Sequence, residues 1–203
     1  MTAGLVHIVD DDPAIRDALG FLLRSRGVRS TAWDDGAAFL DGAPAPEVAC
    51  VILDVRMDGL SGLEVFDILR ERGVDLPVIF LTGHADVPLA VEALKKGAFD
   101  FVEKPFNDNQ LVDTVIAALE RAAAARRHNR DRDLLAARMA SLTPREREVL
   151  QCLVEGRLNK QIADHLGVSM RTVEVHRARV FEKMGVRNAV ELVAQVGSLA
   201  PES

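Results

Sequence analysis

Short apolar runs alternate with helical patterns along the first half of the chain, and this alternation limits the folds available to it. Three strong runs cover residues 5–9, 48–54 and 76–82, and two weaker ones cover 29–33 and 99–102. The three strong runs are rich in Val and Ile, as strands buried on both faces of a sheet are. Helical patterns lie between them, at residues 13–26, 36–40, 61–72 and 87–96. This order predicts an α/β fold: a doubly wound, five-stranded parallel sheet with helices on both faces.

Polar side chains stand where four of these strands end. Asp10-Asp11-Asp12 follow the first run, Asp54 ends the third, Thr82 ends the fourth and Lys104 follows the fifth. In a parallel sheet these positions share one edge, which is where ligands bind in open α/β folds. Clustered carboxylates favour a hard cation such as Mg²⁺, and a carboxylate beside Mg²⁺ can attack phosphorus. Loop capping is the alternative for each residue alone, but four such residues on successive strand ends favour a phosphoryl-acceptor site, with Thr82 and Lys104 facing the phosphoryl group.

The net charge of the chain hides a difference between its two parts. The 25 basic and 31 acidic residues give a net charge of −6, which by itself argues against nucleic-acid binding. Residues 1–121, however, carry 11 basic and 21 acidic groups, and residues 122–203 carry 14 basic and 10 acidic groups. Six arginines lie between Arg121 and Arg138, in a stretch rich in Ala and Leu that contains no Gly or Pro, and this composition predicts a helical connector. A solvated helix end is the alternative for these charges.

Several classes of protein are disfavoured by composition. No apolar run approaches the ~20 residues that a membrane span needs, and the first residues have no basic region typical of a secretory signal. Cys50 and Cys152 show no metal-ligand or disulfide spacing. We therefore expect a cytoplasmic protein that is not bound to a membrane.

The pattern beyond Leu142 is entirely helical. Thr143 and Pro144 are typical of a helix start, and further helices are predicted at about 159–166, 170–184 and 189–196. A tight turn at residues 166–169 joins two of them into a helix-turn-helix pattern, although a small bundle can contain such a turn without binding DNA. The polar side of the helix at 170–184 suits contacts with phosphates and base edges, or else is a solvated face. It carries Arg171, Thr172, Glu174, His176, Arg177, Arg179 and Lys183.

Residues 1–120 resemble the receiver domain of two-component response regulators. The residues that carry this resemblance are Asp10-Asp11, Asp54, Thr82 and Lys104-Pro105. The resemblance implies the flavodoxin-like strand order 2-1-3-4-5 and makes Asp54 the phospho-acceptor. It implies that Asp11, Asp54 and the backbone carbonyl of Arg56 bind Mg²⁺ with help from Asp10. It also implies that Thr82 and Lys104 sense the phosphoryl group and that Phe101 is the aromatic switch residue, although Phe101 can equally be a core side chain.

One position departs from the receiver pattern. Asp58 stands where the family usually has proline. Because proline would stiffen the loop, we expect Asp58 to loosen it and to add a negative charge, which alters the rates of phosphorylation or dephosphorylation without loss of the site.

Residues 141–196 resemble the LuxR-type four-helix DNA-binding domain, through Leu142-Thr143-x-Arg145-Glu146, Asn159-Lys160-x-Ile162-Ala163 and Thr172-Val173-x-x-His176. The two halves together resemble the FixJ/NarL group, and residues 82–88 with 103–106 favour the FixJ branch. The resemblance implies that Glu174, Val175 and Ala178 face base edges. The phosphate contacts that it implies are Lys160, Arg171, Thr172, His176, Arg177 and Arg179.

We therefore predict a receiver domain (residues 1–120), a helical linker (121–140) and a DNA-binding domain (141–203). The protein is predicted to be a transcription regulator, not an enzyme. We expect a sensor histidine kinase to phosphorylate it at Asp54, and we expect it then to form a homodimer on double-stranded promoter DNA with a two-fold site. The FixJ resemblance favours activation, with RNA polymerase as a further partner.

The predicted dimer face comprises residues 87–96, 99–102 and the helix after Asn107, and its side chains mix apolar and charged groups. They are Ala90, Val91, Glu92, Leu94, Lys95 and Asp100. Two alternatives stay open: a regulator that acts without phosphorylation, and a Mg²⁺-dependent phosphotransfer enzyme. The second is disfavoured because Arg56 occupies the place of the second Asp that a haloacid-dehalogenase pattern requires.

Overall fold

The computed structural model describes residues 4–42, 49–83 and 87–197, apart from the side chains of Val87 and Ala90. Parts of the motif at 82–88 and of the apolar run at 48–54 lie outside the described residues. The chain divides into two compact units, and the boundary falls between Arg126 and Arg127.

The first unit is built around a parallel sheet. Its strands are β1 (Leu5–Val9), β2 (Arg29–Trp33), β3 (Ala49–Asp54), β4 (Val78–Thr82) and β5 (Asp100–Glu103), in the spatial order β2-β1-β3-β4-β5. The helices between them are α1 (Pro13–Ser25), α2 (Gly36–Gly42), α3 (Gly62–Glu71) and α4 (Val87–Lys95). The predicted fold class and strand order are confirmed.

Successive side chains of each strand point to opposite faces of the sheet, and this creates two hydrophobic cores, one on each face. In β3, Cys50 and Ile52 pack with apolar residues of α1 and of the helix that follows β5. Val51 and Leu53 point to the opposite face and pack with residues of α2, α3 and α4. Because every residue of β3 is buried, the strand has no polar position until it reaches Asp54 at its carboxyl end.

The helix after β5, α5, spans Asp108–Ala140 and contains the boundary between the units. The absence of Gly and Pro over this range leaves no sequence signal that would stop the helix. Residues of the predicted linker belong to both units, since Arg121 lies over the Phe99 ring in the first and Leu135 is buried in the core of the second.

Within the described residues, the second unit continues with the helices α6 (Pro144–Val154), α7 (Asn159–Leu166), α8 (Met170–Met184) and α9 (Ala189–Gly197). Thr143 and Glu146 form a capping box at the predicted start of α6. Gly167 ends α7 in the left-handed conformation (φ 63°), and Ser169 caps α8 two residues later, so the short turn of a helix-turn-helix is present. In the part of the chain that the structure describes, no helix is both long and apolar enough to cross a membrane.

Candidate functional site

Three carboxylates meet at the carboxyl edge of the sheet. Val9 pairs with Leu53 in the register of β1 and β3, so Asp10 follows one strand beside the place where Asp54 ends the other. One carboxylate oxygen from each of Asp10, Asp11 and Asp54 lies within 4.8 Å of the others. Asp10 and Asp54 are buried and Asp11 is exposed. The sheet therefore presents a cluster of oxygen ligands that is open to solvent on the side of Asp11.

The Lys104 ammonium bridges two of these carboxylates. Its Nζ lies 2.8 Å from Asp54 Oδ1 and 3.0 Å from Asp10 Oδ2. Burial raises the pKa of the Asp54 carboxyl, and the hydrogen bond from Lys104 opposes that change. Burial alone would lower the pKa of Lys104, but its hydrogen bonds to Asp54 and Asp10 outweigh burial and the pKa is raised. Lys104 consequently stays an ammonium at neutral pH.

The loops around the cluster are held by contacts that the sequence alone does not predict. Asp10 Oδ1 accepts the Asp12 backbone N–H at 2.9 Å, and Arg16 donates to the Asp10 carbonyl oxygen at 2.6 Å. The Asp58 backbone N–H donates to Asp11 Oδ2 at 3.0 Å. The sequence signal for Arg16 was its place one turn into a helix that begins beside the acidic loop, whereas no residue type marks a backbone donor.

The predicted phosphate-sensing residues are close in the fold but not all in contact with the carboxylates. Thr82 pairs with Glu103, the residue before Lys104, so both lie at the same edge of the sheet. The Thr82 hydroxyl is buried and donates to the Gly83 carbonyl oxygen at 3.0 Å. Phe101 is half-buried and packs against the core on the side of α2, α3 and α4, and Arg56 is exposed two residues after Asp54.

The donor set fits a hard divalent cation. Carboxylate oxygens that leave open positions for water are the ligands Mg²⁺ prefers, and Lys104 offsets part of the repulsion among the three acidic groups. No Cys lies at the cluster, and among the described residues no other group of at least three His, Cys, Asp or Glu side chains is arranged to hold a metal.

The second candidate site is α8. Val173, Val180 and Met184 face the core of the second unit and are buried. The opposite face exposes Arg171, Glu174, Val175, Ala178 and Arg179, and Lys160 is exposed on α7. Basic groups, a carboxylate and a small residue thus share a surface at the helix that follows the tight turn.

Two other residues of α8, Arg177 and Lys183, make contacts within the second unit, and His176 differs from them. Arg177 donates to Asn159 Oδ1 and lies over the Phe181 ring. His176 is partly exposed, and its Nδ1 is buried without a hydrogen-bond partner within the described residues. Lys183 Nζ lies 2.6 Å from Glu146 Oε2, so this lysine of the polar side binds α6.

The parallel sheet, in this strand order, carries an acidic cluster and a lysine at its carboxyl edge. The same chain contains a helix-turn-helix unit. Together these features define a response regulator with a DNA-binding output. The comparison with known families agrees: residues 6–116 match the response regulator receiver domain, and residues 140–196 match bacterial regulatory proteins of the luxR family. The chain belongs to the DNA-binding response regulators of two-component systems, in the FixJ branch.

The relatives are similar along nearly the whole chain. The C4-dicarboxylate transport transcriptional regulatory protein DctR of Rhodobacter capsulatus is 54% identical over 92% of this chain and 96% of its own length. The transcriptional regulatory protein FixJ of Azorhizobium caulinodans is 49% identical over 97% of this chain and 94% of its own length. Among solved structures, the response regulator StyR is 38% identical with a TM-score of 0.89, covering 96% of this chain and 98% of that one.

Proposed function

We propose that this response regulator is switched by phosphorylation of Asp54. The observation that carries the proposal is the contact of Lys104 Nζ with both Asp54 Oδ1 (2.8 Å) and Asp10 Oδ2 (3.0 Å) beside the acidic cluster. An Asp54 oxygen attacks the phosphorus of a phosphohistidine on a sensor kinase. The new P–O bond forms as the P–N bond breaks, and the imidazole leaves with a proton. Lys104 then pairs with the added negative charge.

The residues of the cluster would hold Mg²⁺ through Asp11, Asp54 and the Arg56 carbonyl oxygen, with Asp10 supporting them. When bound, the cation supplies charge neutralisation for a phosphoryl group that approaches an acidic site. The other roles belong to residues of the chain itself. Asp54 is the nucleophile, Lys104 neutralises negative charge on the phosphoryl group, and Asp10 holds Lys104 in place.

Switching follows from a rearrangement of two residues. The Thr82 hydroxyl leaves the Gly83 carbonyl to bind the phosphoryl group, and Phe101 moves further into the space beside α4. The phosphoryl group needs to favour the rearranged state by only a few kcal/mol, because the change is a shift between two populations.

The output is DNA binding by the second unit. In this proposal Glu174, Val175 and Ala178 face base edges, whereas Lys160, Arg171, Thr172, His176, Arg177 and Arg179 contact phosphates. Phosphorylation drives homodimerisation through the face of α4, β5 and α5, and the dimer binds a two-fold promoter site.

The proposal also includes transcription activation through RNA polymerase and, since the protein binds promoters, a cytoplasmic location. The division into a receiver (1–120), linker (121–140) and DNA-binding domain (141–203) is part of the same proposal, and so is a regulatory instead of an enzymatic role.

The proposal is tested by phosphorylation with a small-molecule phosphodonor. The wild-type chain should gain one acid-stable but hydroxylamine-labile phosphoryl group in the presence of Mg²⁺, as measured by intact mass. Asp54→Asn should gain none, whereas Asp41→Asn, which changes an exposed carboxylate on α2, should behave as wild type. If the Asp54→Asn variant were phosphorylated to the same extent as wild type, the assignment of Asp54 as the phospho-acceptor would be overturned.

A further inference from the structure

The two loops that carry the acidic cluster are joined by one backbone hydrogen bond. The Asp58 N–H, in the loop after β3, donates to Asp11 Oδ2, in the loop after β1, at 3.0 Å. The two residues are 47 positions apart in the chain. The Asp58 side chain is exposed, so this contact depends on its main chain alone.

Asp11 differs from the other two carboxylates of the cluster in how it is held. Lys104 contacts Asp10 and Asp54, and both of these carboxylates are buried. Asp11 is exposed, and within the described residues the Asp58 amide is the donor that the structure places on it. Without that donor, rotation of the Asp11 side chain would be opposed mainly by solvent, and repulsion from its two neighbours would turn it outward.

We propose that the Asp58 backbone amide is a positioning group that orients the Asp11 carboxylate for a divalent cation. The inference deepens the proposed function and rests on it, because it assumes that Asp11 is a ligand. An ionised carboxylate accepts about four hydrogen bonds, so one N–H on Oδ2 leaves Oδ1 available to the cation. Holding a ligand in its bound orientation before binding removes an entropic cost and raises the affinity.

The identity of residue 58 matters because the contact requires an N–H. Proline, which the receiver pattern usually has at this place, has no backbone donor. The departure from the pattern that the sequence shows at Asp58 therefore adds a hydrogen bond between the two ligand loops.

Three variants separate the amide from the side-chain charge. Asp58→Pro removes the amide donor and the charge, Asp58→Ala removes only the charge, and Asp58→Asn also keeps the amide while preserving the side-chain shape. MgCl₂ is titrated into each full-length protein. Binding is followed by the fluorescence of Trp33, the single tryptophan, whose carbonyl oxygen accepts the Asp10 N–H at 3.3 Å, and independently by amide shifts in NMR spectra.

We expect Asp58→Pro to weaken Mg²⁺ binding about three- to tenfold relative to Asp58→Ala, the range that the net contribution of one typical hydrogen bond gives. Asp58→Asn should match Asp58→Ala. Equal Mg²⁺ affinities of the Pro and Ala variants would overturn the inference while leaving the proposed metal site intact. If wild type bound no Mg²⁺, the proposed metal site itself would fail.

A measurement that does not depend on the proline variant examines the amide directly. Hydrogen exchange of the Asp58 amide should be at least about tenfold slower in wild type than in Asp11→Ala, because the acceptor is lost in that variant. Equal exchange rates in the two proteins would show that the hydrogen bond does not form in solution, and the inference would be wrong.

Discussion

At the scale of single residues, the position of Asp54, the proposed phospho-acceptor, depends on a glycine that packs against it. A Cβ built on Gly62 would lie 2.0 Å from the Asp54 carbonyl oxygen and 3.1 Å from the Leu53 side chain. The Gly62 N–H also donates to the Val55 carbonyl oxygen, so the start of α3 cannot move away without breaking that bond. Close approach of α3 to the end of β3 is thus a condition for placing Asp54 beside Lys104.

Gly62→Ala is therefore expected to lower the free energy of unfolding of the first unit by about 2 kcal/mol. It should also slow phosphorylation of Asp54, since the backbone at Asp54 must shift. Urea unfolding followed by Trp33 fluorescence measures the first effect. The control is Gly20→Ala in α1, where a Cβ meets nothing within 4 Å, and this change should stabilise the unit by up to about 1 kcal/mol. Unfolding of Gly62→Ala at the wild-type urea concentration would contradict the close approach.

At the scale of elements, α6 and α8 are tied by a carboxylate that is almost fully buried. Glu146 accepts from Lys183 Nζ at 2.6 Å and from the Thr143 N–H at 2.9 Å. Lys183 also donates to the Ser141 carbonyl oxygen at 3.0 Å. The hydrogen bonds from Lys183 and Thr143 lower the pKa of Glu146 to about 2.

This pair predicts a pH dependence of the second unit. The pKa of Glu146 in the folded unit lies below the ~4.3 of an unfolded chain, so the unfolded state binds more protons between these values. The stabilisation is therefore complete above about pH 4.3 and is lost as the pH falls toward 2. Lys183→Met should destabilise α6 and α8 by about 3 kcal/mol at neutral pH, because it leaves Glu146 buried without its partner, and should weaken the pH dependence.

Hydrogen exchange of peptides from α6 and α8 in the full-length protein measures both effects. Lys160→Met, which changes an exposed lysine on α7, is the matched control and should leave the exchange unchanged. If α6 and α8 exchanged hydrogen at the same rate in Lys183→Met and in the control, the pair of Glu146 and Lys183 would contribute nothing to the stability of the second unit.

The elements also show what the sequence can and cannot predict. β1 was predicted residue for residue from a strong apolar run. β2 was also predicted residue for residue although its pattern is weak, whereas β5, another weak pattern, was placed one residue early. Asp10, Asp54 and Lys104 could be brought together because parallel strands end at one edge. The roles of Lys183 and of the Asp58 amide could not be predicted from the sequence. The role of Lys183 depends on how α6 packs against α8, and the role of the Asp58 amide depends on a loop conformation.

At the scale of the whole molecule, the charge distribution limits how DNA can be bound. Residues 141–203 carry nine basic and eight acidic groups, so one copy of the predicted DNA-binding domain has little excess positive charge. Each added phosphate contact strengthens binding and its dependence on salt, and a second copy on the same DNA doubles the contacts. In the proposed function, dimerisation is therefore the physical route from phosphorylation at Asp54 to high DNA affinity.

The face proposed for dimerisation can be tested directly. On α4, Leu89 is 42% and Val91 is 39% exposed, so two apolar side chains of this helix face solvent. With Mg²⁺ and beryllium fluoride, which mimics a phosphoryl group on Asp54, we expect wild type to sediment as a dimer. We also expect its affinity for a two-fold DNA site to rise about a hundredfold.

Val91→Asp should stay monomeric under the same conditions and bind DNA with the affinity of the unmodified protein. Phe21→Asp is the matched control, because Phe21 is an equally apolar and more exposed residue on α1, outside the proposed face. It should dimerise as wild type does, since an added charge on α1 does not affect the packing of α4 against a second copy. Sedimentation and DNA binding are measured on the same samples. If beryllium fluoride left wild type monomeric with unchanged DNA affinity, the link between the acidic site and the helix-turn-helix would not operate through dimerisation.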